Sequence, residues 1–180
     1  MRRAVTILAA LIALGASGVG AYQLAPEPAE KFAHWREIAW PFPRDGWPAG
    51  RAFRCDGACA GAELYVRAKL GFCNCDRGVA DDDEVDRVAD IDLITPRFAP
   101  TASGDRLRVG GLDGRERLYY LDMPDGTHRV ATGIAVSRRC DLLVAVVQGA
   151  GEVRAMQRAA IAFLETQEMK RWMVAVLEGR

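Results

Sequence analysis

Five cysteines are the residues of this 180-residue chain best placed by type and spacing to do chemistry. Cys55 and Cys59 stand at C-x3-C spacing, Cys73 and Cys75 at C-x-C, and Cys140 opens the apolar run CDLLVAVVQ. Three chemistries compete for the first four. Structural disulfides are the leading reading, because an exported chain meets an oxidising compartment. A four-thiolate centre for zinc or copper is the alternative, although zinc knuckles use C-x2-4-C and C-x-C is a less usual partner. A redox or metal-transfer pair comes third: C-x-x-C is absent, no Lys or His flanks Cys73 or Cys75, and Asp76 would raise a neighbouring thiol pKa. Pairing is open from sequence. Cys55–Cys59 fits a turn, and Cys140 is within reach of Cys73 or Cys75 as a partner. The expectation adopted is nonetheless that Cys55, Cys59, Cys73 and Cys75 are the bonded set and that Cys140, in its apolar run, is an unpaired, buried and inert thiol.

No other constellation reads as catalytic. The two histidines, His34 and His128, form no metal-binding pair, and the nucleophile elbow, the phosphate loop and the dinucleotide fingerprint are missing. The acidic stretch holding Asp81, Asp82, Asp83, Glu84, Asp86, Asp90 and Asp92 lacks the D-x-D-x-D-G loop of a calcium site. It reads instead as acids gathered at the N-terminus of a short helix, where the backbone dipole favours them. Val85, Val88 and Ala89 are then its buried face. Arg106, Arg108, Arg115, Arg117, Arg129, Arg138 and Arg139 suggest an anion patch on the sheet's open face, against the simpler reading of solvated strand faces.

The elements that position these residues follow from periodicity. Glu63 to Phe72 alternates: Leu64, Val66, Ala68, Leu70 and Phe72 on one side, Glu63, Tyr65, Arg67 and Lys69 on the other. This predicts a half-buried strand. If straight it holds Cys59 and Cys73 roughly 30 Å apart, so each end needs a partner from elsewhere. Leu107–Gly110 and Arg115–Leu121 flank a Gly-Gly-Leu-Asp-Gly turn, and Pro124-Asp125-Gly126 makes a second turn before a strand from Thr127 to Val136. Cys140 to Gln148 predicts a central strand covered on both faces. Glu152 to Leu177 carries a helical apolar face, with a break near Thr166. The fold class is therefore α+β: an antiparallel meander packed against a long C-terminal helix, with a cysteine-rich unit before it. That layout resembles small exported α+β folds such as the PsbP-like domain, although no motif carries the likeness.

The remainder organises the chain. Met1-Arg2-Arg3 precedes eighteen uncharged residues, Ala4 to Ala21, which read as an export signal cut before Tyr22 or as a retained anchor giving membrane association through residues 4–21. Residues 22–50 form a linker and an arm. Glu30 to Ala39 is expected as a short helix ended by Pro41. In WPFPRDGWPAG, prolines hold an extended backbone between Trp40, Phe42 and Trp47. Those aromatics either pack the arm onto the domain or meet a partner. Residues 51–180 make one domain. With 24 basic and 24 acidic residues the net charge is zero, which gives no argument for nucleic acid. The functional expectation is an exported bacterial envelope protein in the periplasm or on the periplasmic face of the inner membrane. It acts without enzymatic chemistry or cofactor, as a disulfide-stabilised binding or assembly module for an envelope partner. Metal handling or thiol redox through the Cys55/Cys59/Cys73/Cys75 cluster is the alternative.

Overall fold

The computed structural model describes residues 34–57, 59, 61–71 and 75–179. The leader, residues 22–33 and Cys73 lie outside them. One antiparallel sheet organises the described chain. Its strands are β1 (His34–Ile38), β2 (Arg51–Asp56), β3 (Glu63–Lys69), β4 (Phe98–Pro100), β5 (Asp105–Val109), β6 (Leu112–Asp122), β7 (His128–Arg138) and β8 (Asp141–Gly149). The order is β1-β2-β3-β8-β7-β6-β4, and β5 pairs with β6 alongside β4. The strands from β5 to β8 form the expected meander. The N-terminal hairpin then joins it through β3, which runs beside β8 from Glu63↔Gln148 to Lys69↔Leu142.

Three helices cover the two faces. α1 (Asp82–Val88) is capped by Asp81, whose side chain accepts from the Glu84 N–H, and it buries Val85 and Val88 with Ala89 just beyond. The C-terminal stretch folds as α2 (Val153–Leu164) and α3 (Gln167–Leu177) rather than as one unbroken helix. Thr166 separates them, and its hydroxyl accepts from Met169 N to start the second. Met156, Ala160, Leu164, Met169, Met173 and Leu177 lie on one sheet face over Leu64, Val66, Ile134, Val136, Leu143, Ala145 and Val147. On the opposite face Val85, Val88, Ala89 and Ile91 pack with Tyr119, Ala131, Leu142, Val144 and Val146, and the arm adds Ile38, Trp40 and Phe42. At Gly133 a Cβ would lie 2.9 Å from the Ala89 methyl and 3.0 Å from the Tyr119 ring, so the missing side chain is what lets this layer close onto β7.

Two expectations are corrected. The segment expected as a helix over Glu30–Ala39 is, where described, the edge strand β1, paired from His34↔Asp56 to Ile38↔Ala52. An isolated helix that short is marginal in water, whereas the free edge of β2 offers a ladder of hydrogen bonds. Trp35 and Ile38 then fall on opposite faces, as a period of two requires. The second correction concerns β3. It ends at Lys69, and every residue from Leu64 to Lys69 is buried, so it is not half-exposed. The arm and the α1 segment cover its polar side.

That cover brings two cations inside. Arg67, 2% exposed, donates through Nε to Asp90 Oδ2 (2.6 Å) and through Nη2 to Oδ1 (2.7 Å). It also donates through Nη1 and Nη2 to both oxygens of Asp45 in the arm, at 2.9 and 2.6 Å. Lys69 Nζ meets Asp90 Oδ1 at 2.7 Å and donates to the Val88 carbonyl at 2.8 Å. Burial is the largest influence on Arg67 and works against its charge, but Asp45 and Asp90 outweigh it and the guanidinium stays ionised. The Arg67 guanidinium holds the Asp45 carboxyl down at about 2.

Removing one partner of such a buried set strands a charge. Asp90→Asn is expected to lower the unfolding free energy by about 3–5 kcal/mol in denaturant titrations; a loss below about 1 kcal/mol would contradict the burial described. The depressed Asp45 pKa has a defined sign. Its contribution is present above the unfolded value of 3.8 and lost as pH falls toward about 2. Acid titration of Asp45→Asn should therefore show a shallower loss of stability between those pH values than the parent protein, and superimposable curves would refute the link.

Candidate functional site

The cysteines resolve into two bonds among the described residues. Cys55–Cys59 closes the loop between β2 and β3, with Cα atoms 5.9 Å apart. Cys75–Cys140 joins the segment after β3 to the turn before β8, across 65 residues. The expectation of Cys140 as the unpaired thiol is thus corrected. Its run is apolar because β8 is central, but Cys140 itself sits in the two-residue turn with Arg139, whose φ is 57°. There it faces the end of the neighbouring strand. A zinc or copper centre would need both bonds reduced, and no group of three or more His, Cys, Asp or Glu among the described residues is placed to hold a metal ion. Two disulfides fit an oxidising, extracytoplasmic setting.

The arm aromatics turn toward the domain. Phe42 packs edge-on to Tyr65 at 4.7 Å and to Trp40 at 5.3 Å, and Trp40 lies 6.2 Å from Tyr65. Arg67 sits over the Trp40 ring at 5.8 Å and Lys69 over Trp47 at 5.9 Å. Each aromatic remains partly accessible. Most of the arginines are paired rather than gathered as an anion patch. Arg115 meets Asp82 and Arg117 meets Asp86, both at 2.6 Å. Arg108 meets Asp113, Arg138 meets Glu178, and Arg129 donates to Gln148. The acidic segment and the strand arginines, separate features in sequence, are in part each other's counter-ions. His34 is exposed on β1, and His128 pairs with Asp122 at 2.8 Å beside the Tyr120 ring.

A feature that no motif announced lies on the helix-covered face, where α2 crosses the outer strands. Glu116, Arg117 and Leu118 of β6, Thr132 of β7, Ser103 to Asp105 and, from α2, Arg154 and Gln157 line a cavity of ≈ 40 Å³. Gln157 donates to Glu116 Oε1 and fixes the carboxyl. Glu116 Oε2 and Thr132 Oγ1 are buried and have no hydrogen-bond partner, and they do not bond each other. Thr132 is 1% exposed. Burial pushes the Glu116 carboxyl above the usual range, nearby Asp105 pushes the same way, and Gln157 and Arg154 partly oppose it. Buried oxygens without partners are rare in folded proteins, and both of these belong to side chains that line the one cavity. Sequence gave no cue to it, since Glu116 and Thr132 read as ordinary alternating strand residues.

No family model matches the chain, and no curated protein matches it. Among solved structures it is similar to PA94, a protein of unknown function from Pseudomonas aeruginosa. The identity is 14%, 80% of this chain and 93% of that one are covered, and the TM-score is 0.38. At that level the likeness carries no argument about function.

The bonds give a ranked expectation. A cross-link over 65 residues stabilises by about 4 kcal/mol and one closing a tight turn by about 2 kcal/mol in the chain-entropy account. Cys140→Ser should therefore lower the melting temperature more than Cys59→Ser and expose the Cys75 thiol to alkylation. An unchanged melting temperature in Cys140→Ser would refute the long bond.

Proposed function

We propose that this chain is a non-enzymatic binding module of the bacterial cell envelope, exported and held by disulfides, whose ligand enters the cleft between α2 and the β6–β7 pair. The observation that carries the reading is a polar cavity whose lining includes two side chains, Glu116 and Thr132, that each carry a buried oxygen without a partner. A binding role is favoured over catalysis by the lining itself. It holds neither histidine nor cysteine, and neither of its hydroxyls, Ser103 and Thr132, hydrogen-bonds the Glu116 carboxyl, so no base is positioned to activate a nucleophile. Export is supported by the two disulfides together with the uncharged stretch behind Met1-Arg2-Arg3. No helix among the described residues is long and apolar enough to cross a membrane, and membrane association through the uncharged residues 4–21 is part of this reading. The arm's Trp40, Phe42 and Trp47 keep enough accessible surface to add a contact with an envelope partner.

The test is a thermal-shift screen of small polar metabolites against the oxidised exported protein, run beside Thr132→Val, which keeps the side-chain shape and removes the hydroxyl. At least one compound should raise the melting temperature of the parent and not of the variant. A screen in which nothing stabilises the parent, or in which parent and variant respond alike, would overturn the assignment of the cleft.

A further inference from the structure

We infer that the chain carries a second binding site, independent of the α2 cleft and on the opposite face of the sheet, which takes a phosphate group, free or as a monoester, between Arg77 and Arg106. An open cleft of ≈ 240 Å³ lies where residues 77–80 meet β5, β6 and β7, and Arg77, Arg106, Asp113 and Ser137 line it. One water needs roughly 10–15 Å³, so the space admits a small anion. Strand register builds its floor. Ser137 of β7 stands opposite Asp113 of β6, Asp113 stands opposite Arg108 of β5, and Arg106 follows two residues along β5. Paired residues, and residues two apart on one strand, point to one side of a sheet. These side chains therefore rise from one face, which Ser137 shares with Ala135 of the α1 layer. Neighbouring strands are about 5 Å apart, so Arg106 starts two strands from Ser137, within reach of a long side chain. The other wall is fixed as closely. Gly78 has φ 56°, and a Cβ there would lie 2.3 Å from Ser137 Oγ, so the backbone beside Arg77 runs against that hydroxyl. Cys75–Cys140 ties the same two segments together just before Arg77 and just after Ser137.

Charge decides what the cleft takes. Arg77 and Arg106 are exposed, and their side chains make no salt bridge or hydrogen bond among the described residues. The Ser137 hydroxyl makes no hydrogen bond there either. Asp113 does not neutralise them, because Arg108 donates to both of its oxygens, at 2.8 and 2.9 Å. Arg115, opposite Arg106, is held by Asp82. Asp105 precedes Arg106 but alternates to the other face, where it lines the α2 cleft. Two cations and a hydroxyl thus border one open space with no counter-ion. A carboxylate has two oxygens, which a single guanidinium saturates in a bidentate pair. A phosphate monoester presents three strong acceptor oxygens and close to two charges, enough for both guanidiniums and the hydroxyl.

The experiment is isothermal titration calorimetry of the oxidised protein with inorganic phosphate, against acetate at the same ionic strength, since exposed charges are screened by salt. Phosphate should bind at least tenfold more tightly than acetate. Arg77→Gln and Arg106→Gln should each weaken phosphate about tenfold, the loss of a charge-assisted hydrogen bond. Both residues are exposed, so circular dichroism and the melting temperature should not change. Arg171→Gln removes an equal charge from an exposed position on α3, across the sheet, and should leave phosphate binding as it is. Phosphate that binds no better than acetate would overturn the inference. So would equal weakening by Arg171→Gln, or full affinity in Arg77→Gln and Arg106→Gln. Glycerol 1-phosphate and vesicles of phosphatidylcholine with phosphatidic acid then separate the sources. Binding of glycerol 1-phosphate alone assigns a soluble ester, and vesicle binding that glycerol 1-phosphate displaces assigns a lipid headgroup; both uphold the site. Neither result bears on the α2 cleft, whose Thr132→Val variant should bind phosphate as the parent does.

Discussion

The burial of charge on β3 is the constraint on which the rest of the structure depends. A strand in the middle of a sheet has two faces, and β3 carries Arg67 and Lys69 on the one that faces away from α2 and α3. Once β2 and β8 flank it, those cations can reach no solvent unless that face stays bare. The chain instead covers them and supplies Asp90 from the end of α1 and Asp45 from the arm. Two cations and two carboxylates balance, and the Val88 carbonyl takes a remaining Lys69 proton. Two segments far apart in sequence are thereby fixed to the same strand. An apolar cover would hold as tightly, but it would leave their angle and register loose; the bidentate Arg67 contacts define both.

Local pattern made much of the scaffold readable in advance. Alternation marked β3, the Gly-Gly and Pro-Asp-Gly turns marked β5, β6 and β7, and the acids before Val85 marked α1. The misreadings have one physical origin: each depends on what lies opposite. Trp35 and Ile38 have the spacing of a helical face, and only the vacant edge of β2 decides for the strand. Arg67 and Lys69 look solvent-facing because alternation reports two sides and not what stands over either. Cys140 looks like a core thiol until the pairing of β3 with β8 brings the Cys75 segment to its turn.

The cleft was hidden for a different reason. Glu116 and Thr132 have the composition of any strand in water, and no spacing rule selects them. They come to line one cavity only when α2 crosses them and places Gln157 on one oxygen of the Glu116 carboxyl.

The pairing of β3 with β8 also has a kinetic side. Partners such as Glu63 and Gln148 are 85 residues apart, while β5 to β8 pair with near neighbours in the chain. Local hairpins close first because little loop entropy opposes them, and long-range pairing follows. The meander can therefore assemble as a nucleus that displays the bare edge of β8, and the N-terminal hairpin docks last. Cys75–Cys140 lies at one end of that final seam. Once formed, that bond holds the hairpin against β8 and keeps covered a strand edge that would otherwise recruit another chain.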